Sequence, residues 1–356
     1  MAYTTINKSS LFHNAVTWSG NNAARTISGV GFQPDWIWWK QRNGGDSHRW
    51  ADSVRGEGSA SYKLIFSDDS SAEYNGNDNG GSQGNINAIT SDGFSGVQGT
   101  SGYNNWNGNS FNYVAWNWKA GTTSGLSGGT ITPTGYSINA TSGFGIYKYT
   151  GNGTSGATIA HGLGKAPKMI IVKRLDSSPE WQIYHTRMGN TKWIELTTGT
   201  PQTGTSRWND TSPTNTLFYL GNDSDVNYNG GNYIAYAFAD IRGYSKFSYY
   251  VGNGDASGPF VYTGFKPSLV MIKRISGSDR WVISDNKRDP DNPVNGELNP
   301  NDSATEDTSD TPFDFLSNGF KLRRVGNVFN GSGEEYIYMA FGQSLVGSNN
   351  VPATAR

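Results

Sequence analysis

The sequence contains no cysteine and few charged residues, and both absences exclude classes of function. Without cysteine the chain has no disulfide framework, no thiolate nucleophile and no thiolate metal site. Charged residues make up 16% of the chain, and the formal net charge is -1. A nucleic-acid-binding protein presents a basic face, so this composition argues against DNA or RNA as a partner.

Long apolar runs are missing as well. No run approaches the length that crosses a membrane, and residues 1–12 are polar, without the charged-then-apolar pattern of an export signal. We therefore expect no membrane insertion and a protein that folds in the cytoplasm of the cell that makes it.

Aromatic residues and glycine are abundant. The chain has 12 Trp, 19 Tyr, 16 Phe and 47 Gly, whereas hydrophobic residues as a whole reach only 35%. Many turn-forming residues beside few aliphatic ones are typical of short strands joined by tight turns. Large aromatic side chains can fill small cores between such strands. The composition predicts an all-β protein.

One stretch occurs three times, at residues 34–40, 167–173 and 267–273. Each copy begins with Pro, continues through apolar residues and ends with a Lys six positions later; we call these the signature strands. A Pro at the start of a strand removes no ladder donor. Both faces of each copy are largely apolar, which predicts a strand that is covered on both sides.

Further shared features surround each signature strand. A Trp and then a basic residue follow it, as expected for a hairpin, and a closing strand starts with Tyr and ends with an aromatic residue. The Trp residues are Trp50, Trp181 and Trp281, the basic residues Arg55, Arg187 and Arg288, and the closing strands residues 113–118, 233–238 and 336–341. The interval from Lys to Trp is two residues longer in the first copy, which we interpret as an insertion.

These features predict three tandem β-sandwich units of a jelly-roll-like kind, joined by Gly/Ser/Thr-rich linkers. Unit 1 covers residues 1–121 and is followed by a flexible linker at 122–141. Unit 2 covers residues 142–243 and unit 3 residues 244–346. A polar tail occupies residues 347–356.

Five tryptophans lie in the strands of unit 1: Trp36, Trp38, Trp39, Trp116 and Trp118. Met, Ile, Val, Tyr or Phe take their places in the other units, which favours packing over ligand binding. A sandwich has only two layers, so a long loop, a neighbouring unit or another subunit must cover the second face of each signature strand. We expect these five residues to form the main assembly contact of a homo-oligomer, most simply a trimer. A chain starting near residue 141 should then fold but lose the oligomer.

Two other tryptophans lie in loops among amides and carboxylates. Trp106 follows Asn105, and Trp208 precedes Asn209 and Asp210. Stacking on an aromatic ring combined with amide hydrogen bonds is a common way to hold a sugar. These five residues are candidate contacts to a glycan or a host surface and are expected nearer to solvent, although simple loop packing is the favoured interpretation of the two tryptophans.

The remaining polar residues indicate little chemistry. Lys40, Lys173 and Lys273 end buried strands and are expected to extend to water, with anion binding as the alternative. The acidic stretch 279–310 could hold Ca²⁺, although a solvated loop is favoured and no other cofactor is indicated. None of the four His has a nucleophile elbow or a zinc spacing. We predict a non-enzymatic protein without catalytic residues, although two carboxylates that meet only in space remain an open alternative.

The combined motifs resemble a recurrent domain in structural proteins of tailed bacteriophages, especially marine ones. The resemblance covers units 1 and 2 most closely and rests on five stretches: residues 34–40, 52–56 (DSVRG), 91–94 (SDGF), 113–121 (YVAWNWKAG) and 160–170 (AHGLGKAPKMI). It implies a virion component of the tail-fibre, spike or capsid-decoration kind, located in the virion among other virion proteins. It brings no catalytic residues. The alternative function is a carbohydrate-binding lectin or a polysaccharide depolymerase.

Overall fold

A computed structural model describes residues 4–59, 61–76, 84–102, 104–197 and 199–346. Within these ranges nearly all regular structure is β-strand, which confirms the all-β prediction. The helices are a 3-10 turn at Ser9–Leu11 and one α-helix, α1, at Ser224–Asn227. Neither could span a bilayer, and the described residues contain no helix that could. The tail at 347–356 lies outside the described residues.

Unit 1 contains two antiparallel sheets. The main sheet has the order β1-β8-β3-β4-β5, with strands β1 (His13–Ser19), β3 (Trp36–Gln41), β4 (Arg49–Asp52), β5 (Ile65–Phe66) and β8 (Asn112–Trp118). The small sheet has the order β2-β7-β6, with strands β2 (Arg25–Ile27), β6 (Asn85–Thr90) and β7 (Gly93–Val97).

Unit 2 and the preceding linker share one main sheet. Its order is β15-β14-β13-β12-β17-β10-β9, with strands β9 (Gly135–Asn139), β10 (Phe144–Thr150), β12 (Met169–Arg174), β13 (Gln182–His185), β14 (Lys192–Glu195), β15 (Gln202–Thr203) and β17 (Asn232–Phe238). The small sheet pairs β11 (Ala157–Ala160) with β16 (Leu217–Leu220). Strand β9 lies inside the segment predicted as a flexible linker, so that prediction is wrong: the segment completes the sheet of unit 2.

Unit 3 again has a main and a small sheet. The main sheet has the order β18-β24-β20-β21, with strands β18 (Ser245–Val251), β20 (Pro267–Arg274), β21 (Val282–Asp285) and β24 (Glu335–Gly342). The small sheet has the order β19-β23-β22, with strands β19 (Phe260–Tyr262), β22 (Phe313–Leu316) and β23 (Gly319–Leu322).

The signature strands β3, β12 and β20 occupy the same place in all three main sheets. Each lies between a closing strand and the second strand of its hairpin. The register is the same as well: Trp36 pairs with Trp118, Met169 with Phe238 and Leu269 with Phe341. An interior strand is paired along both edges, so a Pro is tolerated only at its start, where no ladder hydrogen bond is lost.

Each main sheet contributes to two cores. One face packs against the small sheet of its own unit, forming a separate outer core in each unit. The opposite faces of all three main sheets meet in one shared cluster, the central core, which includes Trp36, Trp116, Ile171, Tyr236 and Met271. Neighbouring units of the same chain therefore cover the second face of each signature strand.

This arrangement corrects the predicted assembly contact. Trp36, Trp38, Trp116 and Trp118 are 0% exposed and lie in the central core. Trp39 points the other way, into the outer core of unit 1. A single chain already buries all five, so none is available to a second subunit. The prediction that these five residues form the main contact of a homo-oligomer is therefore wrong.

Candidate functional site

The two loop tryptophans do not reach solvent, so their predicted role as sugar platforms is wrong. Trp106 is 0% and Trp208 2% exposed, and they lie in the outer cores of different units. The ring of Trp106 fits because Gly96 has no side chain: a Cβ there would lie 2.6 Å from a ring carbon. The Nε1–H of Trp208 donates to the carbonyl of Lys192 at 3.1 Å.

Asn105 and Asn209, which neighbour these tryptophans, form hydrogen bonds within their own units. The carbonyl of Asn105 accepts from Nε1 of Trp39 at 3.1 Å, and Oδ1 of Asn209 accepts from the hydroxyl of Ser155 at 2.8 Å. Asn209 and Asp210 adopt left-handed backbone angles, with φ of 53° and 47°. Asp210 is exposed. The structure does not bring these candidates into one site, because they divide between units 1 and 2.

Buried ion pairs mark two of the three junctions between units. Asp52, at the end of β4, contacts Nε of Arg55 at 2.5 Å and accepts from the hydroxyl of Tyr236 in unit 2 at 2.7 Å. Asp285, at the same position of β21, contacts Nε of Arg288 at 2.6 Å. Nε1 of Trp116 in unit 1 donates to this carboxylate at 2.9 Å. The side chains of both acid–arginine pairs are fully buried. The hydrogen bond from Tyr236 or Trp116 connects each pair to another unit.

The third junction uses different residues at the same positions. His185 pairs with Met169 in the register in which Asp52 pairs with Trp36, and Met188 replaces the arginine. The sequence pattern predicts Arg187 at this position, which is wrong by one residue. Arg187 contacts Glu335 at 2.5 Å and lies 3.9 Å from the ring centre of Tyr249, both in unit 3. It therefore contributes to the same junction from the outside.

Burial sets the electrostatics of these junctions. Burial alone would raise the pKa of Asp285, but Arg288 holds it below its usual value. Burial lowers the pKa of His13 and of His185 to about 3, and it lowers that of His48 well below 6.5. All three imidazoles are therefore neutral at pH 7 and act as packing groups.

The register also shows that unit 1 has no insertion in its hairpin. Trp39 pairs with Arg49 as Val172 pairs with Gln182, which places His48, and not Trp50, at the position of Trp181 and Trp281. His48 accepts from Nε1 of Trp38 at 2.9 Å through Nδ1. The predicted two-residue insertion is an error caused by an unrelated Trp nearby.

The three signature lysines are buried, contrary to the expectation that they extend to water. Each is 0% exposed. Nζ of Lys40 donates to the carbonyls of Gln41 and Gly44 and, at 3.3 Å, to that of Ser303 in unit 3. Nζ of Lys173 reaches the carbonyl of Ser70 in unit 1 at 2.9 Å. Both ammonium groups donate hydrogen bonds to backbone carbonyls, which disfavours the alternative that they bind an anion.

Lys273 also binds backbone carbonyls, and burial shifts the pKa of all three lysines in the same direction. Nζ of Lys273 donates to the carbonyls of Gly277 and Asp279 in its own turn. Burial lowers the pKa of Lys40, Lys173 and Lys273 to about 8. Each lysine thus closes the turn that follows its strand, and two of them also hold a loop of another unit.

Carboxylates of the acidic stretch 279–310 bind protein groups. Glu306 contacts Arg42 of unit 1 and Arg288, both at 2.7 Å, and Asp289 accepts from the backbone N–H of Asn295 at 3.0 Å. Among the described residues, no group of three or more His, Cys, Asp or Glu side chains could hold a metal ion. Glu306 thus joins unit 3 to unit 1, whereas Asp289 binds a turn of its own unit.

An open cleft of about 840 Å³ lies where unit 1 meets the linker segment. The carboxylate of Asp35 forms part of its wall and accepts from the hydroxyls of Ser53 at 2.7 Å and Ser137 at 2.8 Å, and from the N–H of Ala120 at 2.7 Å. Lys119 and Tyr136 also line it. The lining offers hydroxyls, an ammonium group and an aromatic ring, which could bind a polar ligand.

Residues 8–344 match the model of a protein family described as a domain of unknown function, DUF7483. The chain belongs to this family. No curated protein matches it, and no solved structure matches it.

One threefold feature of this DUF7483 chain was not predicted from its sequence. Asn107, Asn227 and Asn330 are fully buried, and each binds the Gly-Asn turn that follows β1, β10 or β18. The Tyr six residues later, at the start of each closing strand, accepts from a loop N–H and donates to a loop carbonyl. The constant spacing from Asn to Tyr is visible in the sequence and could have revealed the feature.

Proposed function

We propose that this protein is a non-enzymatic structural component of a phage virion, of the tail-fibre, spike or capsid-decoration kind. The resemblance of its sequence motifs to such proteins supports the proposal. The observation that carries it is the use of the buried polar side chains. Asp52, Asp285, Lys40 and Lys173 all join one unit to another instead of facing a cavity.

We also propose that the chain consists of three copies of one β-sandwich unit. The shared order of four strands in each main sheet and the shared register support this. The buried Asn that binds the first turn of each unit supports it independently. Three copies that close on one another give a rigid body whose loops can face the host or the solvent.

Mass spectrometry and antibody-labelled electron microscopy of purified virions test the proposal. We expect the chain in particles that have been purified through a density gradient, with label at a fixed place on the capsid or tail. A chain found only in the lysate and absent from gradient-purified particles would contradict a virion role.

The cleft beside Asp35 supports a second candidate function, binding of a host surface carbohydrate. It would recognise sugar hydroxyls through Tyr136 and Lys119 at its rim. A glycan array with the natural protein and with Tyr136→Ala tests this. Binding that the substitution weakens would support it, and an array without signal would exclude it. Release of new reducing ends from a bound polysaccharide would indicate a depolymerase instead.

A further inference from the structure

The outer edge of unit 3 exposes an unusual number of large apolar side chains. Four of those found exposed in the described residues lie on two consecutive strands: Tyr249 (43%), Val251 (45%), Phe260 (45%) and Tyr262 (53%). Strand β18 is the outermost strand of its main sheet, and β19 is the outermost strand of its small sheet. Edge strands present backbone groups that can pair with another chain.

Unit 2 shows what occupies the equivalent edge. There β9 pairs with β10, and the N–H of Thr134 donates to the carbonyl of Lys148 at 2.7 Å. Lys148 pairs with Ile234 as Tyr249 pairs with Ile337, so Lys148 is the counterpart of Tyr249. An extended segment rich in Gly, Ser and Thr therefore covers in unit 2 the edge that β18 presents in unit 3.

The same segment covers the small sheet of unit 2. The N–H groups of Thr130 and Ile131 donate to the carbonyl of Thr158 at 3.0 and 2.9 Å. Ile159 pairs with Phe218 as Val261 pairs with Phe320, so Thr158 corresponds to Phe260. Only residues 239–244 connect β17 to β18, and they are too few to cover both edges of unit 3.

The connection from β17 to β18 already limits the start of the open edge, where Ile241 pairs with Ser245. Oδ1 of Asp240 accepts from the backbone N–H of Phe247 at 2.8 Å, on the side of β18 away from β24. The N–H of Gly252 points the opposite way, to the carbonyl of Glu334. Backbone groups alternate along a strand, so those of Tyr249 and Val251 face outward with that of Phe247. The edge beyond Asp240 is the part that can pair.

We propose that β18 and β19 form a docking site for an extended, Gly/Ser/Thr-rich segment of another polypeptide chain. The segment adds to β18 as an antiparallel strand, as β9 adds to β10, and crosses β19 beside Phe260. The surface adjoins the junction of units 2 and 3, because Arg187 of unit 2 contacts Tyr249. This site does not depend on where the protein functions.

A synthetic peptide with the sequence of residues 126–139 is the probe, since this segment covers the edge in unit 2. Fluorescence anisotropy of the labelled peptide with the full chain should show saturable binding. Absence of binding would overturn the proposal. So would self-association of the full chain through β18 in place of peptide binding, detected by light scattering.

A matched pair of variants tests the backbone contact. Tyr249→Ala and Tyr249→Pro both remove the ring, but only Pro removes the outward N–H. We expect the Pro variant to bind the peptide about tenfold more weakly than the Ala variant. Equal affinities would contradict strand addition.

A variant that should bind the peptide more tightly keeps the proposal testable if the Pro variant fails to fold. Asp240→Ala frees the N–H of Phe247 and lengthens the open edge, so the peptide should bind more tightly to it than to the natural chain. Binding that is unchanged or weaker in a variant with a normal unfolding transition would count against the site.

Discussion

At the scale of single residues, His13 departs most clearly from its counterparts. It is buried against Phe341, with ring centres 4.7 Å apart, and neither ring nitrogen has a partner. The same register position holds Phe144 in unit 2 and Ser245 in unit 3. A buried polar group without a partner costs about 1–3 kcal/mol. The central core thus keeps an imidazole where a phenyl ring fits the same kind of sheet.

The first prediction follows from this comparison. His13→Phe should stabilise the protein by about 1–2 kcal/mol, because it removes an unpartnered polar group and keeps a flat ring. Chemical denaturation measures the change. His161→Phe is the control, since His161 is hydrogen-bonded to Thr214 and Leu163 and its loss should destabilise. A destabilising effect of His13→Phe would contradict this account.

The second prediction concerns acid. His13, His48 and His185 have folded-state pKa values far below 6.5, so the unfolded chain binds more protons below that pH. Their contribution to stability is complete above pH 6.5 and is lost as pH falls from there towards about 3. Each histidine adds about 1.4 kcal/mol of slope per pH unit. Unfolding curves at pH 7, 6, 5 and 4 should show this decline in the free energy of unfolding. In His13→Phe the slope should be smaller by the contribution of one histidine, about 1.4 kcal/mol per pH unit. An unchanged slope in that variant would refute the assignment.

At the scale of elements, the hairpins that follow the signature strands hold the units together. Removing one member of a buried ion pair typically costs about 3–5 kcal/mol, because the other charge stays buried. Unit 2 shows that the same hairpin also works with His185 and Met188 in place of the pair. Two residue pairs, Asp with Arg or His with Met, therefore fill the same two positions of this hairpin.

The third prediction uses these two solutions. Arg288→Met should destabilise by about 3–5 kcal/mol, because Asp285 loses its counter-ion. Adding Asp285→His removes the isolated charge and reproduces unit 2, so the double variant should recover part of the loss. A double-mutant cycle by chemical denaturation measures the coupling. Strictly additive costs would contradict a role for charge at this junction.

The strands could largely be predicted from the sequence, whereas their surroundings could not. The signature and closing strands follow from their Pro, Lys and Tyr boundaries and their apolar runs. Burial of Trp106 depends on space left by Gly96, which is distant in the sequence. Burial of Lys40 depends on carbonyls of its own turn and of unit 3. Such contacts arise only when the units close on one another, so local patterns carry no signal of them.

At the scale of the whole molecule, the three units are not independently packed domains, because all of them contribute to one central core. The rings of Trp50 and Trp181 lie 4.6 Å apart across units 1 and 2, and those of Phe238 and Phe341 lie 6.4 Å apart across units 2 and 3. Trp118 and Phe341 join units 1 and 3 at 5.7 Å. Contacts of this kind make each unit a part of the interior of the others.

The fourth prediction is that no unit can be removed without loss of the fold. A chain beginning at residue 122 keeps every strand of the unit 2 sheet but lacks the tryptophans that share the central core with Phe144, Ile171 and Tyr236, so it would expose a large apolar surface. We expect it to bind a hydrophobic dye and to unfold without a cooperative transition. A truncated chain with a sharp transition and no dye binding would show that the remaining units fold alone, as the sequence first suggested.

Native-state hydrogen exchange tests the shared core most directly. If the three main sheets form one cooperative structure, the slowest amides of β3, β12 and β20 should open with a single free energy, equal to that of global unfolding. Exchange measured across a series of low denaturant concentrations gives these three values. Three clearly different opening free energies, each tied to its own sheet, would contradict a central core common to the whole chain.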